Sequence, residues 1–179
     1  MKNVWEWIVN RIIQLDVNSI QNILPSYHSS DRKGQIQELK QAIYQYRNQL
    51  LSDIFSVEIS NHSFEKTDFG KPYLIDYPKF HVNHSHSQYH YALASSQQIQ
   101  DLGVDVEDLD RKVRFEALAK HAFHPQEYQA WQALDFDPTF WFKVWTTKEA
   151  ILKASGLGIR LSLNELNTGV HVMNDGGIS

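Results

Sequence analysis

Gly103-Val104-Asp105-Val106-Glu107 is the stretch of this 179-residue chain that says most about its fold. The apolar, β-branched segment 102–106 predicts a strand, and side chains two apart on a strand point to the same face. Asp105 and Glu107 would then lie together, roughly 7 Å apart along the strand. Because like charges on one face repel, the pattern indicates a divalent cation between them. The alternative is two solvated acids at an exposed strand end.

The composition of the chain limits the classes of protein to which it can belong. The chain is 42% hydrophobic and 21% charged, which is typical of a soluble globular protein. Its formal net charge of −4 argues against broad nucleic-acid binding, and the absence of cysteine excludes disulfides and thiol catalysis. Polar residues interrupt the N-terminal apolar stretch, and no run approaches the ~20 apolar residues of a membrane helix. We therefore expect a cytoplasmic protein that binds neither nucleic acid nor membranes.

Hydrophobic periodicity predicts an α+β fold. Helices are expected at 18–24, 35–51, 115–121, 125–134 and 138–154. Strands are expected at 55–59, 79–82, 89–95, 102–106 and 170–173, whereas helix and strand patterns compete at 4–15. The polar turn Ser96-Gln97-Gln98 predicts an antiparallel hairpin between 89–95 and 102–106. Gly70-Lys71-Pro72 predicts a turn, and Gly156 and Gly158 are expected to end the last helix.

A third carboxylate lies in Trp145-Thr146-Thr147-Lys148-Glu149-Ala150, within the last predicted helix. Together with Asp105 and Glu107, Glu149 suggests an Mg²⁺ site with phosphate-binding lysines beside it. The alternative is an ordinary helix surface on which Glu149 and Lys153 form an i,i+4 pair worth about 0.3 kcal/mol.

Four histidines lie close together in the sequence: His81, His84, His86 and His90. His84 and His86 would share one face of a strand, but neither a cysteine nor a clearly placed third histidine completes a zinc site. A better use for His84, with Ser85 beside it, is to donate a hydrogen bond to a phosphate. The alternative is an exposed polar loop, just as Lys71 alone would be an ordinary surface lysine.

Four motifs, in this order and spacing, resemble those of 4′-phosphopantetheinyl transferases of the Sfp type. They are Gly70-Lys71-Pro72, Phe80-His81-Val82-Asn83-His84-Ser85, Gly103-Val104-Asp105-Val106-Glu107 and the segment from Trp145-Thr146-Thr147-Lys148-Glu149 to Gly156-Leu157-Gly158. The resemblance runs from about residue 70 to residue 163, and the last two motifs are the specific ones. His81 and Asn83 depart from the family pattern, which has Asn and Ser there.

The resemblance implies transfer of the 4′-phosphopantetheine arm of coenzyme A to a serine of an apo acyl or peptidyl carrier protein. Mg²⁺ would be held by Asp105, Glu107 and Glu149. Catalysis would depend on Glu149, Asp105 and Lys153, with Glu149 or a metal-bound water taking the serine proton. Coenzyme A would be contacted by Lys71, His84, Ser85, Lys148 and Lys153.

The resemblance also implies a fold of two α+β halves related by a pseudo-twofold axis, residues 1–100 and 101–179, with the ligand between them. Family members continue beyond the segment 164–179, so the second half is expected to be incomplete. Candidates for holding the 3′-phosphate are Arg32, Lys33 and Arg47. Two other functions stay open: a truncated, non-catalytic binder of coenzyme A or carrier protein, and a Mg²⁺-dependent nuclease. The nuclease is disfavoured by the acidic pI and by the lack of a lysine on the acidic strand.

Overall fold

A computed structural model of the chain describes residues 12–157 and 162–170, and its helices and antiparallel strands confirm the α+β class. The elements in chain order are β1 (Gln14–Ser19), α1 (Ile20–Ile23), α2 (Arg32–Phe55), β2 (Phe64–Lys66), β3 (Pro72–Leu74), β4 (His81–His86), β5 (His90–Ser96), α3 (Phe115–Ala122), α4 (Pro125–Ala133) and α5 (Pro138–Ser155). Gly158 and most of the residues predicted as a strand at 170–173 lie outside the described residues. Within those residues, no helix combines the length and apolar character that crossing a bilayer requires.

Helix α2 packs in the first of two hydrophobic cores. It begins after Asp31, whose carboxylate accepts a hydrogen bond from Gly34 N at 2.9 Å. It ends before Ser56, which takes a left-handed conformation with φ 55°. Its buried positions recur every four residues: Ile43, Arg47, Leu51 and Phe55. This stripe, three apolar residues and one arginine, lies on one helix face, and its apolar members join the sheet residues Tyr91 and Leu93 in the core.

Among the described residues, the main sheet has three antiparallel strands in the order β1-β5-β4. In the β4–β5 register, Asn83 pairs with Ala94 and Ser85 pairs with Ala92. Side chains alternate along a strand, so these four residues share the face opposite Leu93. That face is turned toward segment 101–107 and helix α5. The sheet therefore separates the first core from the region that contains the acidic motif.

Two of the predicted strands are wrong, and so is the predicted hairpin. Residues 102–106 form no strand: the amide of Val104 donates to the side-chain Oδ1 of Asn83 at 3.0 Å, and no strand within 12–157 or 162–170 pairs with this segment. The hairpin joins β4 to β5 instead. Residues 55–59 form no strand because Phe55 is the last residue of α2 and the chain turns at Ser56. Phe55 and Ile59 are both buried in the first core, which produces the alternation that resembled a strand.

Helices α3, α4 and α5 form the second core around Trp131 and Trp141, and they match their predicted ranges to within one residue. The indole N–H of Trp141 donates to the carbonyl of Phe115 at 3.1 Å, so its polar atom is satisfied inside the core. Helix α5 begins after Asp137, which caps two backbone amides, and ends at Gly156 with φ 67°. These caps place Glu149 and Lys153 in the last two turns of the helix.

Gly103 lies directly against the backbone of helix α5. A Cβ atom at this position would lie 2.0 Å from the carbonyl oxygen of Ala150 and 2.6 Å from the amide nitrogen of Ala154. Both are backbone atoms that cannot rotate away. Glycine is therefore required here for segment 103–105 to lie on the helix.

We expect Gly103→Ala to lower the free energy of unfolding by about 3 kcal/mol, the upper end of the usual cost of overpacking. Gly70→Ala is a control: a Cβ there meets nothing within 4 Å, although φ is 85°. Its cost should be the backbone strain alone, roughly 1 kcal/mol. Urea unfolding of both variants measures the difference, and equal losses would contradict a backbone clash at Gly103.

Candidate functional site

Three elements meet at the ammonium group of Lys153. Its Nζ donates to Asp105 Oδ1 at 2.7 Å, to Ser85 Oγ at 2.8 Å and to the carbonyl of Val104 at 3.3 Å. The Ser85 hydroxyl itself donates to Asp105 Oδ1 at 2.8 Å. Helix α5, strand β4 and the acidic motif are thereby joined through one cation. The structure thus brings together three of the predicted site residues.

One carboxylate oxygen of Asp105 is available to a ligand. Its side chain is 8% exposed, and Oδ2 is buried with no hydrogen-bond partner among the described residues. A buried polar atom without a partner is costly, so such atoms mark positions where a ligand can bind. A carboxylate oxygen is the donor that Mg²⁺ prefers. Asp105 therefore fits the predicted role of a metal ligand.

Glu149 lies near this carboxylate and is half-buried. Burial raises the pKa of Glu149 above its ordinary value, and the charges of Asp105 and Glu107 raise it further, although Lys153 opposes them. A carboxylate that is crowded by other carboxylates binds a proton or a cation more readily. Glu149 is thus suited either to accept a proton or to share a cation with Asp105.

Glu107 faces a different environment from the one that the sequence predicted. It forms an ion pair with Arg111 and lines a separate cavity beside Asp108. Within residues 12–157 and 162–170, no three carboxylate or imidazole side chains are grouped as a metal site. The structure therefore places Asp105 and Glu149 around Lys153 and leaves Glu107 bound to an arginine.

A cavity of about 580 Å³ opens between the Gly70-Lys71-Pro72 turn and the end of helix α5. Glu149 and Lys153 line it from the helix, and residues 162–164 form another wall. Lys71 also lines it, with Nζ donating to the carbonyl of Ala154 at 2.6 Å. Lys71 is thus a fixed cation at the negative end of the helix dipole.

A second cavity, of about 480 Å³, adjoins the first and shares Asn83 and Lys153 with it. Its wall is basic and aromatic and comprises Tyr44, Arg47, Phe64, Lys66 and His84 among others. The guanidinium of Arg47 lies 3.8 Å from the ring centre of Phe64 and 4.7 Å from that of Tyr44. The sequence offered one signal for this site, because Arg47 is the one charged residue in an otherwise apolar stripe of α2.

His84 lines this second cavity but is not a cation at neutral pH. Burial lowers its pKa from 6.5 to about 4, and the positive charge of Arg47 contributes. Its Nδ1 is buried and lacks a hydrogen-bond partner among the described residues. The neutral ring can still donate one hydrogen bond, which is what a phosphate contact requires.

Lys148, another predicted site residue, lies in the interior of the protein and lines neither cavity. Its side chain is fully buried and pairs with Glu127 at 2.8 Å. The remaining ammonium protons go to the carbonyls of Leu163, at 2.8 Å, and Leu166. Burial alone would raise the pKa of Glu127, but hydrogen bonds from Lys148 and Thr168 outweigh it and hold that pKa below its ordinary value. The sequence contained no signal that paired Glu127 with Lys148.

Comparisons with known proteins point to one family. Residues 101–177 match the model of the 4′-phosphopantetheinyl transferase superfamily. The 4′-phosphopantetheinyl transferase HetI of Nostoc sp. is 36% identical over 117 residues, which are 62% of this chain and 48% of HetI. Sfp of Bacillus subtilis is 30% identical over 132 residues, 73% of this chain and 56% of Sfp. The transferase gsp of Aneurinibacillus migulanus is 31% identical over 120 residues, 64% and 46% of the two chains.

Residues 101–177 are therefore similar to the 4′-phosphopantetheinyl transferase superfamily, as the motifs of the chain indicated. The match to Sfp confirms the resemblance to that type. The chain spans about half the length of the curated relatives it matches.

We expect the burial of His84 to make the fold less stable in acid. Between pH 6.5 and about pH 4 the unfolded imidazole binds a proton that the folded one does not, so the free energy of unfolding falls as pH falls. The slope from this one group approaches about 1.4 kcal/mol per pH unit. His84→Phe keeps the ring and should flatten the urea-unfolding profile there, whereas exposed His62→Phe should not. Parallel profiles for His84→Phe and the unaltered chain would refute this assignment.

Proposed function

We propose that this chain transfers 4′-phosphopantetheine from coenzyme A to a serine of an apo acyl or peptidyl carrier protein, in the cytoplasm and with Mg²⁺. The observation that carries the proposal is the pair of adjoining cavities that share Lys153 and Asn83. The first has the Glu149 carboxylate beside Lys71 and Lys153, and the second has Arg47, Lys66 and two aromatic rings, with Glu65 as its acidic residue. The structure of coenzyme A matches two adjoining cavities, because a diphosphate joins its pantetheine arm to a nucleotide. The names of the relatives support the same reaction.

In this proposal the diphosphate lies at the junction, where Lys153 and the His84 ring are available to its oxygens. Lys71 is available from the turn on the other side. Arg47 and Lys66 provide positive charge in the second cavity, where the 3′-phosphate of the nucleotide would bind. The Ser85 hydroxyl is already bonded to Asp105 and Lys153, so we assign it to orienting those two groups.

Mg²⁺ would be held by Asp105 and Glu149, and by Glu107 once it is free of Arg111, and would stabilise charge on the diphosphate. Glu149 would accept the proton of the carrier serine with the carboxylate oxygen that is not used for the metal. A bond forms between the serine oxygen and the phosphorus next to the pantetheine. The bond from that phosphorus to the nucleotide breaks, and adenosine 3′,5′-bisphosphate leaves. Lys153 remains beside the leaving phosphate and offsets its charge.

A second candidate function is non-catalytic binding of coenzyme A or a carrier protein. The ion pair between Glu107 and Arg111 favours it, because that pair engages one of the three carboxylates that Mg²⁺ would need. Binding without transfer distinguishes this function from the first.

The test of transfer is intact-protein mass spectrometry of apo carrier proteins after incubation with the chain, coenzyme A and Mg²⁺. We expect a phosphopantetheine mass gain that EDTA abolishes. Asp105→Asn should lower the rate at least ~100-fold, since it removes a charge that holds the metal. Exposed Glu116→Gln is the matched control and should transfer normally. If Asp105→Asn still transfers phosphopantetheine at the normal rate, the assignment of Asp105 as a metal ligand is wrong. If the unaltered chain binds coenzyme A but modifies no carrier protein, the non-catalytic binding function is favoured.

Arg47 can be tested with coenzyme A that lacks its 3′-phosphate. We expect Arg47→Met to weaken the binding of coenzyme A about 10- to 100-fold, the value of a charge-assisted hydrogen bond. The variant should bind dephospho-coenzyme A as the unaltered chain does. Methionine preserves the apolar packing against Phe64, and Lys40→Met, which alters an exposed lysine near Tyr44, is the control. Calorimetric titration of the unaltered chain and the two variants with both ligands measures the six affinities. An equal loss for both ligands would show that Arg47 has another role.

A further inference from the structure

The buried ion pair between Glu127 and Lys148 connects two helices to a segment without regular strands or α-helix. Both side chains are fully buried. Glu127 Oε1 accepts hydrogen bonds from Thr168 N at 2.8 Å and Thr168 Oγ1 at 2.6 Å. Lys148 donates to the carbonyls of Leu163 and Leu166. One ion pair therefore makes four hydrogen bonds to segment 162–170.

Segment 162–170 has few other described polar attachments to the rest of the chain. The side chain of Asn167 donates to Gln126 at 2.6 Å, on the exposed surface. Val170 is buried in the second core at one end of the segment. The buried polar groups that fix its middle are thus those of Glu127 and Lys148. Without them the carbonyls of Leu163 and Leu166 would lose their partners.

The same segment forms a wall of the first cavity. Ser162, Leu163 and Asn164 line it opposite Glu149 and Lys71. Lys148 and Glu149 are consecutive on helix α5, so their side chains diverge by about 100° around the axis. Lys148 therefore fixes the wall while Glu149 faces the cavity that the wall encloses.

We infer that Glu127 and Lys148 are positioning residues, which shape the cavity for its ligand by holding segment 162–170 and do not touch the ligand themselves. This inference rests on the proposed function in taking coenzyme A as the ligand. A wall that is fixed in advance lowers the ordering cost of binding. Lys148 thus acts on coenzyme A through the backbone at Leu163 and Leu166 and makes no contact with a phosphate.

The test replaces the pair without leaving a buried charge. In the full chain, the double variant Glu127→Met/Lys148→Met keeps similar volume and removes the ion pair, a change that many folds tolerate. The control is Glu116→Met/Lys120→Met, which removes an exposed ion pair on helix α3 whose Nζ–Oε1 distance is 2.6 Å. Both variants are compared with the unaltered chain well below their midpoints of thermal unfolding.

Two measurements give the outcome. We expect hydrogen exchange at the Thr168 amide to rise about tenfold in the buried-pair variant, because local opening becomes easier. We expect KM for coenzyme A to rise about tenfold with kcat within about twofold, since the catalytic groups are unchanged. The control should show neither change.

A purely structural role gives a different result. If the variant merely unfolds in part, the active fraction falls, so kcat per total protein drops while KM stays the same, and this overturns the inference. Unchanged exchange at Thr168 also overturns it. If the unaltered chain neither binds nor uses coenzyme A, the proposed function fails, and the exchange of segment 162–170 alone then decides whether the pair holds the wall.

Discussion

The contact between Lys153 and Asp105 is the interaction on which the rest of the site depends. Asp105 is nearly buried, and a buried carboxylate without a positive partner is costly enough to be protonated or displaced. Lys153 supplies that partner from the last turn of helix α5. The contact requires the acidic motif to lie against the helix, and this is possible because Gly103 has no side chain. A motif of five residues and a helix whose lysine is 48 positions from Asp105 thereby form one structure.

The helices were predictable because their sequences carry local signals. Pro125 and Pro138 stand at the first helical positions, and Gly156 ends α5 in the left-handed conformation. The strand expected at 102–106 was wrong because β-branched residues report burial, and burial does not require a neighbouring strand. Val104 obtains its amide partner from a side chain on β4, a contact between residues 21 positions apart that no local pattern encodes.

The positions of the site residues were predictable for residues that belong to the sequence motifs. They were less predictable where the packing of helices determines which side chains meet. Asp105, Ser85 and Lys153 meet as the motifs suggested, whereas Lys148 lies in the same motif as Glu149 but points into the protein. The 100° step between neighbours on a helix made that divergence foreseeable. Its partner Glu127 was not foreseeable, because the pair depends on the crossing of α4 and α5.

The ammonium group of Lys71 belongs both to the end of helix α5 and to the wall of the first cavity. It closes the carbonyl end of helix α5 by binding Ala154, and the same group forms part of the cavity wall. An anion that approaches Lys71 must share these protons with the helix. Occupancy of the cavity and fraying of the helix terminus are therefore thermodynamically linked, and the last turn of α5, which holds Lys153, becomes a reporter of whether the cavity is filled.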